Sequence, residues 1–197
     1  MVADAKSTLL DYLGRARRAM VFKTEGLSEY DVRRPLTGTG TNLLGLVKHL
    51  ASVELGYFGD TFGRPSGIAL PWHVLSADPN ADLFATAEET RADILGLYAK
   101  AIAHAEETCA VLDLDTVGHV PWWGDDNEVT LHQVLVHMVA ETGRHAGHAD
   151  ILREGLDGAV GRFPADANMD SMTGYDWPAH VARVERAARD AAASASS

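Results

Sequence analysis

The segment TLHQVLVHMVAETGRHAGHADILREGLDG, which opens at Thr130, constrains this chain more than any other stretch. Thr130 followed by Gln133 is a capping-box pattern, in which hydroxyl and amide side chains take up backbone groups that the first helical turn leaves unpaired. The helix that it opens is expected to stop at Gly155 or Gly158. Three further segments share its three- and four-residue apolar period. They are expected as helices over 4–26, where Leu9, Leu10, Leu13, Ala16, Met20 and Val21 form the stripe, over 42–62, and over an alanine-rich run of about 83–112 that starts near Asp82. A turn of helix is expected at Ser28–Arg33, and a terminal helix near 177–192 with Pro178 in its first turn. No convincing alternating strand pattern is present; residues 113–129, with Gly118, Pro121 and Gly124 around Trp122 and Trp123, read as irregular or briefly extended. The fold expected is all-α: a four-helix bundle with long inter-helix loops and an extra C-terminal helix, one domain over 1–197 with its core in 4–158. Long connections after the first and third helices suit parallel neighbours.

Composition removes several functional classes. With 17 Lys+Arg against 28 Asp+Glu, the net charge is −11, which argues against a general nucleic-acid binder. A single cysteine, Cys109, excludes an internal disulfide, a Cys₄ zinc site and a CxxC redox pair. No apolar run approaches the ~18–20 residues of a membrane span, and charges break up the N-terminal MVADAKSTLLDYLGRARRAM. A soluble cytoplasmic protein is expected. Patterns for a nucleophile elbow, a P-loop or a dinucleotide fold are absent.

The nine histidines carry the chemistry. His137, Glu141, His145 and His148 fall within a sector of about 80° on the Thr130 helix. A charged glutamate among imidazoles on a half-buried face is costly unless something compensates it, and a divalent metal is the natural compensation. Glu141 and His145, at i and i+4, can grip one ion from successive turns, as paired helix residues do in HExxH sites. His49 is the best third ligand: it lies among inward-facing apolar residues in GLVKHLASVE, and Gly45 and Gly56 on its face leave room for an ion and a ligand. The residues alone leave two other readings open, a solvated polar stripe on the long helix and a hydrogen-bonded core histidine at position 49.

GTNLLGLVKHLASVE, the PWWGDDNEVTLHQVLVHM run and, most strongly, VLVHMVAETGRHAGHADILREGLDG resemble the DinB-like helical metal-binding family over roughly residues 5–160. The closest resemblance is to its actinobacterial branch of mycothiol-dependent transferases. Many members use an HxxxH pair, which here becomes ExxxH, as in the metal domain of mycothiol-dependent maleylpyruvate isomerases. The resemblance implies His49, Glu141 and His145 as ligands, zinc as the ion (nickel or another divalent metal being the alternative), and mycothiol as cosubstrate. Those isomerases carry a further C-terminal domain that contributes to the active site, whereas this chain ends after one terminal helix. The expectation is therefore the shared thiol-on-metal chemistry, with the thiol attacking an electrophilic small molecule. A hydrolase using metal-activated water, or a stress-associated metal- or small-molecule-binding protein, are the alternatives.

Other residues have two readings each. His137 and His148 can hydrogen-bond a ligand or simply pack, and His132 is expected at the surface. Arg144 and Arg153 can meet a carboxylate or form ion pairs, with Asp150 an available partner for Arg153. Trp122, Trp123, Trp72 and His73 can wall a pocket, plug the bundle ends or make a dimer contact, and Tyr57 can border the site as a donor or simply pack. Cys109 reads as a small buried residue. The alanine-rich third helix allows close packing, either within the chain or in a homodimer.

Overall fold

The computed structural model describes residues 4–73, 78–163 and 174–195, and it is mostly helical. The chain divides into two compact units, Met1–Arg162 and Phe163–Ser197. The first unit holds helices α1 (Ala5–Phe22), α2 (Glu29–Arg33), α3 (Leu43–Phe58), α4 (Arg91–Val111) and α5 (Leu131–Asp157). A two-stranded antiparallel hairpin, β1 (Val117–His119) and β2 (Glu128–Thr130), pairs Gly118 with Val129 and leads directly into α5. In the second unit, α6 (Trp177–Ala195) has no buried residues within its span. The expected loop GRFPADANMDSMTGYD falls largely outside the described residues. Among the described residues no helix is long and apolar enough to cross a membrane.

Capping chemistry sets the helix ends. Asp4 caps α1, accepting from the Ser7 amide. Asn42 caps α3, accepting from the Gly45 amide. At α5 the Thr130 hydroxyl accepts from the Gln133 amide while Gln133 Oε1 accepts from the Thr130 amide, the reciprocal box expected of that pair. The helix ends with Gly158 at φ 75°, a left-handed conformation that glycine adopts without steric cost, so Gly158 rather than Gly155 is the stop. Helix α4 starts later than expected. Thr90 and Asp93 form a full capping box, and residues 82–90 are a loop.

Cross-helix contacts fix the directions of the four long helices. Lys23, just past α1, pairs with Asp150 late in α5, while Leu13 packs in one cluster with Leu131 and Leu135, so α1 and α5 run parallel. Lys48 early in α3 reaches Glu89 before α4, and Arg64 past α3 meets His104 late in α4, so α3 and α4 are also parallel. Tyr57 lies against His137 and His49 against His145, which makes α3 and α5 antiparallel. The connection joining parallel neighbours is therefore the one after α3, over 59–90, not those after the first and third long helices. That crossover must return the length of the bundle, which is why it is long.

The core comprises two apolar clusters, one with Leu43, Leu44, Val47 and Leu50 of α3 fully buried and one with Leu13, Phe58, Leu131 and Leu135 fully buried. Within it sits a buried ion pair. Arg17 donates to both Glu54 oxygens at 2.6 and 2.7 Å, joining α1 to α3, with Arg17 4% and Glu54 0% exposed. On α4, Ala101 and Ala105 are fully buried within the chain, whereas Ala92, Ala99 and Ala103 are exposed.

Candidate metal centre

Helix α3 brings His49 and helix α5 brings Glu141 and His145 to one place. One ligand atom from each lies within 4.8 Å of the other two. Glu141 Oε1 is the common point: His145 Nε2 is 3.0 Å from it and His49 Nε2 is 3.7 Å from it. The two imidazole rings meet edge to face, with centroids 5.0 Å apart. All three side chains are partly buried, 14–24% exposed, so they stay accessible from one side.

A residue that reads in sequence as a helix start completes the group. Asp82 Oδ2 lies 2.7 Å from His49 Nδ1. A carboxylate only accepts, so Nδ1 carries the proton and Nε2 is the atom left for the centre. Carboxylate behind imidazole is the arrangement that orients metal-ligating histidines. The loop carrying Asp82 is tied to α3 at three points. Asn42 Nδ2 donates to the Leu83 carbonyl at 3.1 Å, and Lys48 Nζ donates to the Phe84 carbonyl and to Glu89, both at 2.9 Å. The third is a close approach: a Cβ at Gly45 would lie 1.9 Å from the Leu83 carbonyl oxygen. These tertiary bonds hold 82–90 out of the helix that its composition favours.

Charge in the group is finely opposed. Burial alone depresses His49, but the hydrogen bond and charge of Asp82, with Glu141 behind, raise its pKa above the ordinary histidine value. Burial lowers His145, against the pull of Glu141, and the net shift is downward. For Glu141 burial acts upward, and the two histidines outweigh it to hold the carboxyl below its usual range. His145 Nδ1 is buried with no hydrogen-bond partner among the described residues, so nothing there orients His145 as Asp82 orients His49. Two imidazoles and a carboxylate are a donor set that divalent metals accept. Tetrahedral ligands at ~2.0–2.1 Å from zinc stand roughly 3.3 Å apart, and the 3.0 and 3.7 Å separations about Glu141 straddle that figure. The residues fit such an ion.

The group opens into a cleft of about 690 Å³ between α3, α5 and the Pro121–Trp122 turn, within the usual size of small-molecule sites. Trp122 and Tyr57 line it with rings 5.0 Å apart, and the His137 ring lies tilted against Tyr57 with centroids 4.6 Å apart. Trp123 stands behind, donating from Nε1 to the Tyr57 hydroxyl at 3.1 Å.

A family model described as mycothiol-S-transferase matches residues 8–158. The chain belongs to the mycothiol S-transferase family. It is a DinB-like family, as the sequence motifs implied. No curated protein matches the chain.

The remaining candidates separate into those at the cleft and those away from it. Tyr57, Trp122 and His137 line the cleft, and Trp123 supports it. His148 is exposed on α5 with its ring 5.4 Å from that of His145. Arg144 is exposed. Arg153 points elsewhere: it donates to the carbonyls of Lys23 and Glu25 and pairs with Asp157, while Asp150, its expected partner, pairs with Lys23. Arg153 therefore ties the chain after α1 to α5. Trp72 is a plug, donating to Ser52 Oγ at 2.9 Å with Lys48 Nζ 4.1 Å from its ring centroid; the side chain of His73 lies outside the described residues. Cys109 is 2% exposed, and burial pushes its thiol up to about 11. The glycines of α3 also differ from expectation. Space at Gly45 is filled by the Leu83 backbone, and a Cβ at Gly56 would lie 2.7 Å from the Trp122 ring, so neither leaves a void for an ion.

Proposed function

We propose that this chain is a cytoplasmic, metal-dependent thiol S-transferase in which mycothiol attacks an electrophile held in the cleft beside His49, Glu141 and His145. The observation that carries this reading is the convergence of those three donors, from two helices, at a cleft of small-molecule size. Membership of the mycothiol S-transferase family supports the choice of thiol. Zinc suits two imidazoles and one carboxylate with a position left open, and nickel is accepted by the same donors. What such an ion supplies when bound is a lower thiol pKa, so that thiolate exists at neutral pH.

The chain's own residues supply position and environment. Asp82 fixes the His49 ring through Nδ1 and so aims Nε2 at the centre. Glu141 and His145 present their donors from one face of α5, one turn apart, on a helix whose start is secured by the Thr130–Gln133 box. Tyr57, Trp122 and Val53 give the electrophile an apolar wall and keep water from it. In the reaction the thiol sulfur bonds to the electrophilic carbon, the leaving group departs with the bonding electron pair, and the thiol proton passes to solvent. Cys109, buried and with a raised pKa, takes no part.

Metal analysis of the purified protein, followed by conjugation of mycothiol to a bimane halide, tests the reading. About one divalent ion per chain is expected, with thiol-dependent conjugation lost in His49→Ala and His145→Ala and kept in Cys109→Ser. Thiol-independent cleavage of esters or amides in place of conjugation would make the site a hydrolase. Metal binding with neither activity would make the protein a binding protein.

A further inference from the structure

The cleft has one chemical bias that the transferase reading does not require. Three carboxylates, Asp60, Asp82 and Glu141, lie among its lining residues, and none of the described residues that line it is a lysine or arginine. Two basic residues of α3 and α5 are turned elsewhere, while Arg144 is exposed one turn past Glu141 and lies outside the lining. Lys48, adjacent to His49, is turned to Glu89 and the Phe84 carbonyl, and Arg153 is committed to the segment after α1. Asp60 sits in the short 3-10 turn that follows α3, is exposed, and its carboxylate accepts no hydrogen bond among the described residues. The rings of Tyr57, Trp122 and His137 line the same cleft. Three carboxylates outweigh a divalent ion, and a bound thiolate adds another negative charge. Apolar walls sharpen the resulting field, and ring faces attract cations.

We infer that the cleft selects its electrophile by charge, taking cationic and uncharged aromatic compounds and rejecting anionic ones, with Asp60 setting the preference. The inference rests on the thiol-transferase reading for its chemistry. Asp60 is a specificity residue at the cleft edge, and the Tyr57 and Trp122 rings receive the aromatic body of the substrate.

Three benzyl chlorides of similar size test it, bearing a para trimethylammoniomethyl, methyl or carboxylate group, with mycothiol as the thiol. In each the sulfur bonds to the benzylic carbon, the C–Cl bond breaks, chloride leaves with the electron pair and the thiol proton goes to solvent. Each kcat/KM is divided by the uncatalysed rate constant in the same buffer, which removes intrinsic reactivity. The expected order is cation, neutral, anion, with the extremes about tenfold or more apart and the spread shrinking with added salt. Asp60→Asn should narrow the spread, and Asp60→Lys should narrow it further by favouring the carboxylate; both lie in an exposed turn. A carboxylate substrate used as well as the neutral one, or a spread unchanged in Asp60→Lys, overturns the inference. The same order is read without turnover from quenching of tryptophan fluorescence by benzyltrimethylammonium, benzyl alcohol and phenylacetate. Cation-selective binding with no conjugation of any chloride would sink the transferase reading and leave charge selection standing. Conjugation with the anion preferred would do the reverse.

Discussion

Replacing Asp82 separates a ligand-orienting carboxylate from an ordinary loop residue. Its oxygen is 2.7 Å from His49 Nδ1, and the two side chains are 21% and 22% exposed. Removing such a partner behind a ligating histidine typically weakens metal binding about 10- to 100-fold, or roughly 1.4 to 2.7 kcal/mol. One-fifth exposure lets water replace part of the lost bond, so Asp82→Ala is expected near the lower end, about ten- to thirtyfold. Asp82→Asn retains an acceptor but loses the charge, and should weaken binding by only about threefold to tenfold. Competition for Zn²⁺ against a chromophoric chelator, at one pH and with circular dichroism of each variant as a fold control, measures both. Asp82 lies in a loop, so the helical spectrum should be unchanged. An Asp82→Ala affinity within about twofold of wild type, beside a His49→Ala variant that has lost binding, would refute the orienting role. It would mean that α3 packing alone holds the His49 ring.

Four other outcomes are expected. Gly45→Ala should weaken zinc binding about as much as Asp82→Ala, because its Cβ would meet the Leu83 carbonyl oxygen at 1.9 Å and push the Asp82 loop outward; the same chelator competition reads it. Cys109 should resist thiol reagents at pH 8 in the folded protein, where a thiol at about 11 is ionised to only about one part in a thousand, and should react at once in urea. Hydrogen bonds from Thr90 hold the Asp93 carboxyl below the usual aspartate value, so the stability it contributes is complete above the unfolded-state pKa and is lost as pH falls through the folded one; Asp93→Asn should therefore be less stable than wild type in urea at pH 7, with the gap closing as pH falls below the usual aspartate value. Light scattering should give a dimer mass that Ala103→Glu lowers to the monomer, if the exposed alanines of α4 form the contact; an unchanged mass removes α4 from the interface.

Local chemistry made much of the bundle legible. The Thr130–Gln133 box acts within a single turn, so residue types alone locate the start of α5, and they narrow its end to Gly155 or Gly158, of which Gly158 is the stop. The same locality brings Glu141 and His145 together, since i and i+4 on a helix meet wherever the helix sits. His49 needed one further step, the recognition that an imidazole among inward-facing apolar residues must find a polar partner. Helix directions were less legible. Sequence shows that a connection is long, but parallel pairing of α3 with α4 depends on which ends Lys48 and Arg64 reach.

Asp82 shows where such reading stops. The run DLFATAEET has acceptable helix formers and an acidic first residue, so a helix from Asp82 is a sound local inference. Thr90 and Asp93 spell the same type of box that located α5, and weighing that second signal moves the start of α4 to its observed place. Finding the box would still not have put Asp82 beside His49. That placement depends on Asn42 and Lys48 bonding to the carbonyls of Leu83 and Phe84, and on the missing side chain at Gly45. Each contact spans about forty positions and uses a backbone carbonyl, which carries no residue-specific mark in sequence. The two glycines of α3 have the same explanation. A glycine on an inward face signals that something approaches closely, but sequence does not say whether it is a metal, a backbone or a ring. Here the backbone of Leu83 fills one space and the indole of Trp122 the other. Both serve the centre indirectly, one by delivering the carboxylate behind His49 and the other by seating the cleft's aromatic wall.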